Sequence, residues 1–93
     1  MYKKIELEKL LSSLDGWTAV NGREAIFKKI MFKDFNQAFS AMTKIAEKAD
    51  QMDHHPEWFN VYNKLEITLT THDAGGVTSY DQELAAYIDE VAS

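Results

Sequence analysis

All three histidines of the chain lie within nineteen positions, as the run His54-His55-Pro56 and then His72. Imidazole is the side chain whose unperturbed pKa lies nearest neutrality, so it can take up and release protons at pH 7. Four aspartates are close to the histidines in sequence: Asp50, Asp53, Asp73 and Asp81. This clustering indicates a proton-transfer site, and the alternative interpretation is three unrelated surface histidines.

Other chemistries fit the sequence less well. A metal site is disfavoured because adjacent histidines are a poor pair of ligands, and the chain has neither an HExxH motif nor a cysteine. No serine has the flanking residues of an activated nucleophile, and Gly75-Gly76 is not followed by the lysine of a phosphate-binding loop. General acid–base catalysis remains, in which one imidazole protonates a departing hydroxyl and another removes a proton.

The composition indicates an ordinary globular domain with an acidic balance. The 93 residues are 45% hydrophobic and 27% charged, and the formal net charge is −5. This charge argues against a surface for nucleic-acid phosphates, which needs a basic stripe. No apolar run approaches the roughly 18 residues that span a bilayer, and the N-terminus lacks the apolar core of a signal peptide. We expect one domain over residues 1–93, in the cytoplasm.

The first half of the chain predicts a helix, a hairpin and a long helix. Apolar residues at helical spacing before Asp15-Gly16 predict a short first helix. Asn21-Gly22 predicts a hairpin with arms at 17–20 and 23–32. Asp34 is suited to cap the long helix that follows. This helix has an apolar stripe that we expect to face the core, formed by Phe35, Ala38, Phe39, Met42, Ile45, Ala46 and Ala49.

Pro56 determines where the long helix ends. Because it disfavours helical geometry at His55, the helix must stop near Asp53 or His54. The histidine pair then lies in a helix-to-strand connection, and a turn is needed if both rings are to face one site.

A second hairpin and a last helix complete the order α-β-β-α-β-β-α. A three-residue loop at 62–64 would put Phe59 and Val61 on the same face as the aliphatic residues of the next strand. Thr78 can cap the last helix, whose first turn contains Asp81. We therefore expect an α+β domain, in which helices pack on one face of a four-stranded antiparallel sheet.

Residues 50–64 resemble the signature of the pterin-4a-carbinolamine dehydratases. An acidic residue, here Asp50, precedes His-His-Pro by four positions, and a histidine and an aspartate follow where His72 and Asp81 stand. The segments 22–28 and 32–36 are also similar to that family. The resemblance extends from about Gly16 to Val91, which is nearly the whole chain.

The resemblance implies a definite reaction and a set of site residues. Members of the family dehydrate 4a-hydroxy-tetrahydropterin, the product of aromatic amino acid hydroxylases, to quinonoid dihydropterin during tetrahydrobiopterin recycling, without a metal or an organic cofactor. The implied catalytic residues are His54, His55, His72 and Asp81, the last as an orienting group. The implied pterin-binding residues are Asp50, Asp53, Thr70, Thr71 and Asp73. Because His55 directly precedes Pro56, we expect it to be the essential histidine.

The resemblance also implies alternatives to a purely enzymatic function. Animal members act in addition as dimerisation cofactors of a homeodomain transcription factor through a helical interface. We therefore expect a homodimer or homotetramer formed through the 34–51 helix. A homeodomain partner and an additional nuclear location are further hypotheses, as is a pterin-linked accessory protein that acts on another substrate.

Overall fold

A computed structural model describes residues 1–93 of the chain. The elements are α1 (Leu7–Ser12), β1 (Thr18–Ala19), β2 (Ile26–Met31), α2 (Phe35–Met52), β3 (Glu57–Val61), β4 (Lys64–Leu69), a short 3₁₀ helix (His72–Ala74) and α3 (Ser79–Ala92). The predicted order of helices and strands is confirmed. None of the helices is both long enough and apolar enough to cross a membrane.

The four strands form one antiparallel sheet in the order β1-β2-β4-β3. The core lies between the sheet and the helices, which confirms the predicted α+β architecture. Its fully buried members include Ile26, Leu65, Ile67 and Leu69 from the strands and Leu10, Ile45, Leu84 and Ile88 from the helices. Strands β2 and β4, which contribute the buried aliphatic residues, are the two central strands.

Helix α2 begins and ends where the sequence predicts. The Asp34 side chain accepts a hydrogen bond from the backbone N–H of Gln37 at 2.9 Å, as an N-cap should. The predicted apolar stripe needs correction, because only part of it faces the core. The buried line is Ala38, Ala41, Ile45 and Ala49, whereas the rings of Phe35 and Phe39 are 44% and 55% exposed.

The predicted loop of the second hairpin is wrong. Val61 pairs with Lys64, so the loop has two residues, Tyr62 and Asn63, and not three. Tyr62 adopts a left-handed conformation with φ of 51°, and the Asn60 side chain donates hydrogen bonds to the carbonyls of Tyr62 and Lys64. These hydrogen bonds close a tight turn that alternation of apolar residues does not reveal.

The shorter loop reverses the predicted faces of β3. Trp58 pairs with Ile67 and packs against the core. Phe59 and Val61 lie on the opposite face of the sheet, where they are 58% and 51% exposed. A register shift of one residue exchanges the two faces of a strand, and the large indole covers the core better than Phe59 would.

The first hairpin is confirmed, but its turn is longer than predicted. The N–H of Val20 bonds to the carbonyl of Ala25, so residues 21–24 form the connection. Gly22 occupies a positive φ of 77°, which is why glycine suits that position. Arg23 therefore lies in the connection and not in the strand, and its side chain is free to reach across the sheet.

Candidate active site

The three histidines meet in one cleft of about 380 Å³ at the end of the sheet where α2 stops. Its walls come from the α2–β3 connection and from the segment that follows β4. The lining residues are Asp53, His54, His55, Pro56, Glu57, Thr70, Thr71, His72 and Asp73. The polar side chains singled out in the sequence therefore lie together.

The end of α2 supplies the turn that the histidine pair needs. Asp53 adopts a left-handed conformation (φ 51°, ψ 43°), and the N–H groups of Asp53 and His54 bond back to the carbonyls of Asp50 and Ala49. This is the capping pattern in which the two residues after a helix satisfy its last carbonyls. The chain then leaves the helix axis, and both histidines enter the cleft.

His54 is the buried histidine, and its partner is a buried carboxylate. Its Nε2 atom lies 2.7 Å from Oδ1 of Asp81, and the two side chains are 9% and 0% exposed. An ionised carboxylate only accepts hydrogen bonds, so Nε2 carries the proton and donates a hydrogen bond to Asp81. The sequence places Asp81 in the first turn of α3, and the structure puts it behind His54 and outside the cleft lining.

The other oxygen of Asp81 is held by two further donors. Oδ2 accepts hydrogen bonds from the Thr71 hydroxyl at 2.8 Å and from the Thr78 N–H at 2.9 Å. Since the Thr71 proton is used in this way, the Thr78 hydroxyl donates to Thr71 Oγ1, 2.8 Å away. Asp81 and Thr78 also form the capping box of α3. The carboxylate is thus fixed in position by three hydrogen bonds from the protein.

This arrangement determines which nitrogen of His54 is available for chemistry. Nδ1 forms no hydrogen bond within the protein, and no buried side-chain nitrogen or oxygen lacks a partner. Nδ1 is therefore reached by solvent. In the neutral ring it carries a lone pair, because the proton is on Nε2. A buried carboxylate, an oriented imidazole and an open nitrogen are the components of a general base.

His55 and His72 are exposed, and each faces a different carboxylate. Nε2 of His55 lies 3.1 Å from Oδ1 of Asp50, and these side chains are 58% and 83% exposed. Nε2 of His72 lies 3.4 Å from Oε2 of Glu57. The sequence-predicted Asp50 thus contacts the site through His55 and does not line the cleft itself.

Glu57 and Arg23 form an ion pair that the sequence did not identify as part of the site. Both nitrogens of the guanidinium fork lie 2.8 Å from the two carboxylate oxygens. The hydrogen bond from Arg23 holds the pKa of the Glu57 carboxyl below its usual range, and His72 lowers it further by a smaller amount. The same pair raises the pKa of Arg23 above its ordinary value. The pair is recognised only from the observed register of β3, which places Glu57 opposite Thr68 of β4.

The remaining predicted residues contribute polar groups to the walls. The Thr70 hydroxyl donates to the carbonyl of Glu24 at 2.8 Å and keeps its capacity to accept. Asp53 and Asp73 present exposed carboxylates. Seven of the nine predicted residues line the cleft, and the other two, Asp50 and Asp81, contact its histidines from outside.

Comparison with known proteins gives one consistent result. The sequence profile described as "Pterin 4 alpha carbinolamine dehydratase" matches residues 2–91. A protein of Paraburkholderia xenovorans named for that dehydratase is 57% identical over 83 residues, which cover 89% of this chain and 86% of the relative. One from Burkholderia cenocepacia (strain HI2424), with the same name, is 53% identical over 96 residues, covering 100% of this chain and 94% of the relative.

A solved structure agrees in fold and in sequence. A transcriptional coactivator/pterin dehydratase from Brucella melitensis superposes with a TM-score of 0.93 at 44% identity, covering 98% of this chain and 99% of that one. From the profile match and the level of identity, the chain belongs to the pterin-4a-carbinolamine dehydratase family.

Proposed function

We propose that this protein dehydrates 4a-hydroxy-tetrahydropterin to quinonoid dihydropterin by general acid–base catalysis, as part of tetrahydropterin recycling. The observation that carries the proposal is the His54–Asp81 pair at 2.7 Å, which opens into a cleft with two further histidines. Membership of a dehydratase family supports the substrate and the reaction. The three imidazoles supply the proton transfers.

The reaction removes one water molecule and needs two proton transfers. The bond between C4a and its hydroxyl oxygen breaks, and the hydroxyl leaves as water after it takes a proton from an acid. A base removes the proton from a pterin ring nitrogen, whose electron pair forms the new double bond. One proton is given and one is taken, so the enzyme returns to its starting protonation after the two histidines exchange a proton through solvent.

We assign the base to His54 and the acid to His55. The lone pair on Nδ1 of His54 has no partner within the protein, and Asp81 stabilises the positive charge that develops when the ring takes a proton. His55 is fixed by the restricted backbone before Pro56 and has the Asp50 carboxylate beside Nε2. His72 lines the same cleft, and we assign it a contact with the bound pterin.

The substrate-binding residues are assigned by the capacity of their side chains to form further hydrogen bonds. Asp53 and Asp73 have exposed carboxylates that can accept hydrogen bonds from the N–H edge of a pterin. Thr70 can accept one more hydrogen bond. The hydroxyl of Thr71 is used inside the protein, so we assign its contribution to the position of Asp81.

The decisive experiment is stopped-flow absorbance of freshly generated 4a-hydroxy-tetrahydropterin, with and without the protein, in the presence of a chelator. We expect faster decay with the protein, unchanged by the chelator. No acceleration would reject the proposed function. Acceleration that disappears with the chelator would reject the metal-free mechanism.

We also propose that the chain assembles as a homodimer or homotetramer through the 34–51 helix. Phe35 and Phe39 stack on the exposed side of α2 with ring centroids 5.6 Å apart. Beside them is an apolar concavity of about 350 Å³, which includes Met42, Ala46 and Trp58. Exposed aromatic rings next to such a concavity are typical of association surfaces.

A second candidate function uses the same surface. The Brucella melitensis protein carries the name of a transcriptional coactivator as well as a dehydratase. A homeodomain transcription factor could bind the exposed side of α2 in place of a second copy of the chain, which would add a nuclear location to a cytoplasmic one. This function would be supported if the unaltered protein binds such a factor and Phe39→Glu abolishes the binding while dehydration is retained.

A further inference from the structure

Arg23 and Glu57 are joined across the sheet although they are 34 positions apart. Arg23 lies in the β1–β2 connection, and Glu57 is the first residue of β3, an edge strand. Glu57 pairs with Thr68 of β4, which in turn pairs with Phe27 of β2. The ion pair therefore bridges two elements that are not neighbours in the sheet, beside the mouth of the cleft.

The geometry of this pair fixes the plane of the carboxylate. Arg23 contacts Oε1 with Nη1 and Oε2 with Nη2, each at 2.8 Å. A rotation of the carboxylate would break at least one of these parallel hydrogen bonds, so the guanidinium fork holds it in a single orientation. A lysine at position 23 would supply the charge without this constraint.

The held carboxylate faces His72. Oε2 of Glu57, which Arg23 fixes, is 3.4 Å from Nε2 of His72. The His72 side chain is 75% exposed, and Glu57 is the one polar group of the protein that it contacts. His54 and His55 have their own carboxylate partners, Asp81 and Asp50. Arg23 does not line the cleft, so it can act on the chemistry only through Glu57.

We propose that Arg23 and Glu57 are positioning residues that hold the His72 ring toward the pterin during dehydration, an inference that rests on the proposed function. Arg23 fixes Glu57, and Glu57 restrains His72. Without this restraint, the exposed His72 ring would be turned away from the pterin in most of the enzyme–substrate complexes. We expect a loss of turnover on the order of 10-fold, since one positioned proton donor or acceptor contributes about 10²–10⁴-fold.

The kinetic test compares Arg23→Ala, Arg23→Lys and Glu57→Gln with the unaltered protein. We expect Arg23→Ala to lower kcat about 10-fold with KM changed less than about twofold, and Arg23→Lys to recover only part of the loss. The double variant should equal Glu57→Gln alone, because Arg23 acts through that residue. The matched control is Glu83→Gln. It removes a surface ion pair in which Nζ of Lys48 lies 2.9 Å from Oε2 of Glu83. Neither residue lines the cleft, so kcat should be unchanged.

Two kinetic outcomes would overturn the inference. One is a normal kcat in Arg23→Ala. The other is a double variant whose loss equals the product of the two single losses, because that would mean the residues act independently.

A second measurement does not depend on pterin chemistry. Carbon-13 relaxation of the histidine rings gives an order parameter for each ring, and we expect that of His72 to fall in Arg23→Ala while that of His55 stays constant. An unchanged order parameter would overturn the inference even if the protein is an active dehydratase. A lowered value in a protein that does not accelerate dehydration would support the restraint and reject only the proposed function.

Discussion

Nε2 of His54 lies 2.7 Å from Oδ1 of Asp81, whose side chain has no exposed surface. The same aspartate caps α3, where its Oδ2 accepts hydrogen bonds from Thr71 and Thr78. One carboxylate therefore both stabilises a helix end and selects the proton-bearing nitrogen of a ring in the cleft. Any substitution of Asp81 therefore affects both the start of α3 and the proposed base, His54.

Asp81→Asn should reverse the tautomer of His54. Two donors converge on Oδ2, so the amide oxygen must take that position and the amide NH₂ group must face Nε2. The ring proton then moves to Nδ1, and the proposed base is lost. We expect dehydration to slow by on the order of 10²-fold or more. Stopped-flow absorbance measures the rate, and nitrogen-15 shifts of the imidazole report the tautomer.

Asp89→Asn is the matched control for that substitution. Asp89 is also on α3, but its carboxylate contacts Trp17 and Lys28 and forms no hydrogen bond with a histidine. We expect normal turnover from this variant. Normal turnover in Asp81→Asn, with the ring proton shown to be on Nδ1, would contradict the assignment of His54 as the base.

Thr78→Ala should destabilise the fold and Thr78→Ser should not. The hydroxyl accepts from the N–H of Tyr80 and donates to Thr71, so its loss removes the acceptor of the Tyr80 N–H and the donor to Thr71 Oγ1. The free energy of unfolding should fall by about 1–2 kcal/mol for alanine and by much less for serine. Urea denaturation followed by circular dichroism measures both, and equal values for the two variants would disprove the role of the hydroxyl.

Local signals made the helices of this fold predictable. Asp34, Thr78 and Pro56 each act on a helix end through their own backbone or through residues two to three positions away, so their effects can be read from short segments. The candidate histidines and aspartates could be named for a similar reason, since residue type and spacing already restrict the chemistry.

The face of β3 could not be predicted, because both of its parities carry apolar side chains. Trp58 and Phe59 compete for the core, and the outcome depends on a turn that the Asn60 side chain closes. The pairing of Arg23 with Glu57 follows from that register and from the order of the strands, which are both non-local. Neither can be obtained from the spacing of residues along the chain.

His55→Ala should abolish most of the activity while the fold and the assembly are retained. The ring is 58% exposed and contacts only the exposed Asp50, so its removal leaves no cavity in the core. We expect kcat to fall by about 10²-fold or more, with no measurable change in thermal stability. Asp50→Asn, which keeps the shape and removes the charge, should lose less. An active His55→Ala protein would require the acid to be His72.

The lowered pKa of Glu57 predicts a pH dependence of stability. The pKa of Glu57 is lower in the folded protein than in the unfolded chain. The ion pair therefore stabilises the fold above the unfolded pKa of about 4.3. This stabilisation is lost as the pH falls through the folded pKa. The difference in unfolding free energy between the unaltered protein and Glu57→Gln should therefore vanish at acid pH. It should be small even at pH 7, because both partners are 42% exposed, and 1 M NaCl should reduce it. A difference that persists at pH 2 would contradict the ion pair.

Phe39→Glu should dissociate the oligomer, and Phe59→Glu should not. The two rings are exposed to a similar extent, 55% and 58%, but Phe39 lies on α2 and Phe59 on the outer face of the sheet. A charge at the centre of an apolar interface is desolvated without a partner, so assembly through α2 should fail only in the first variant. Light scattering coupled to size-exclusion chromatography measures the mass of each variant. Dissociation by Phe59→Glu alone would move the interface to the sheet, because that face also carries the exposed side chains of Met31 and Val61.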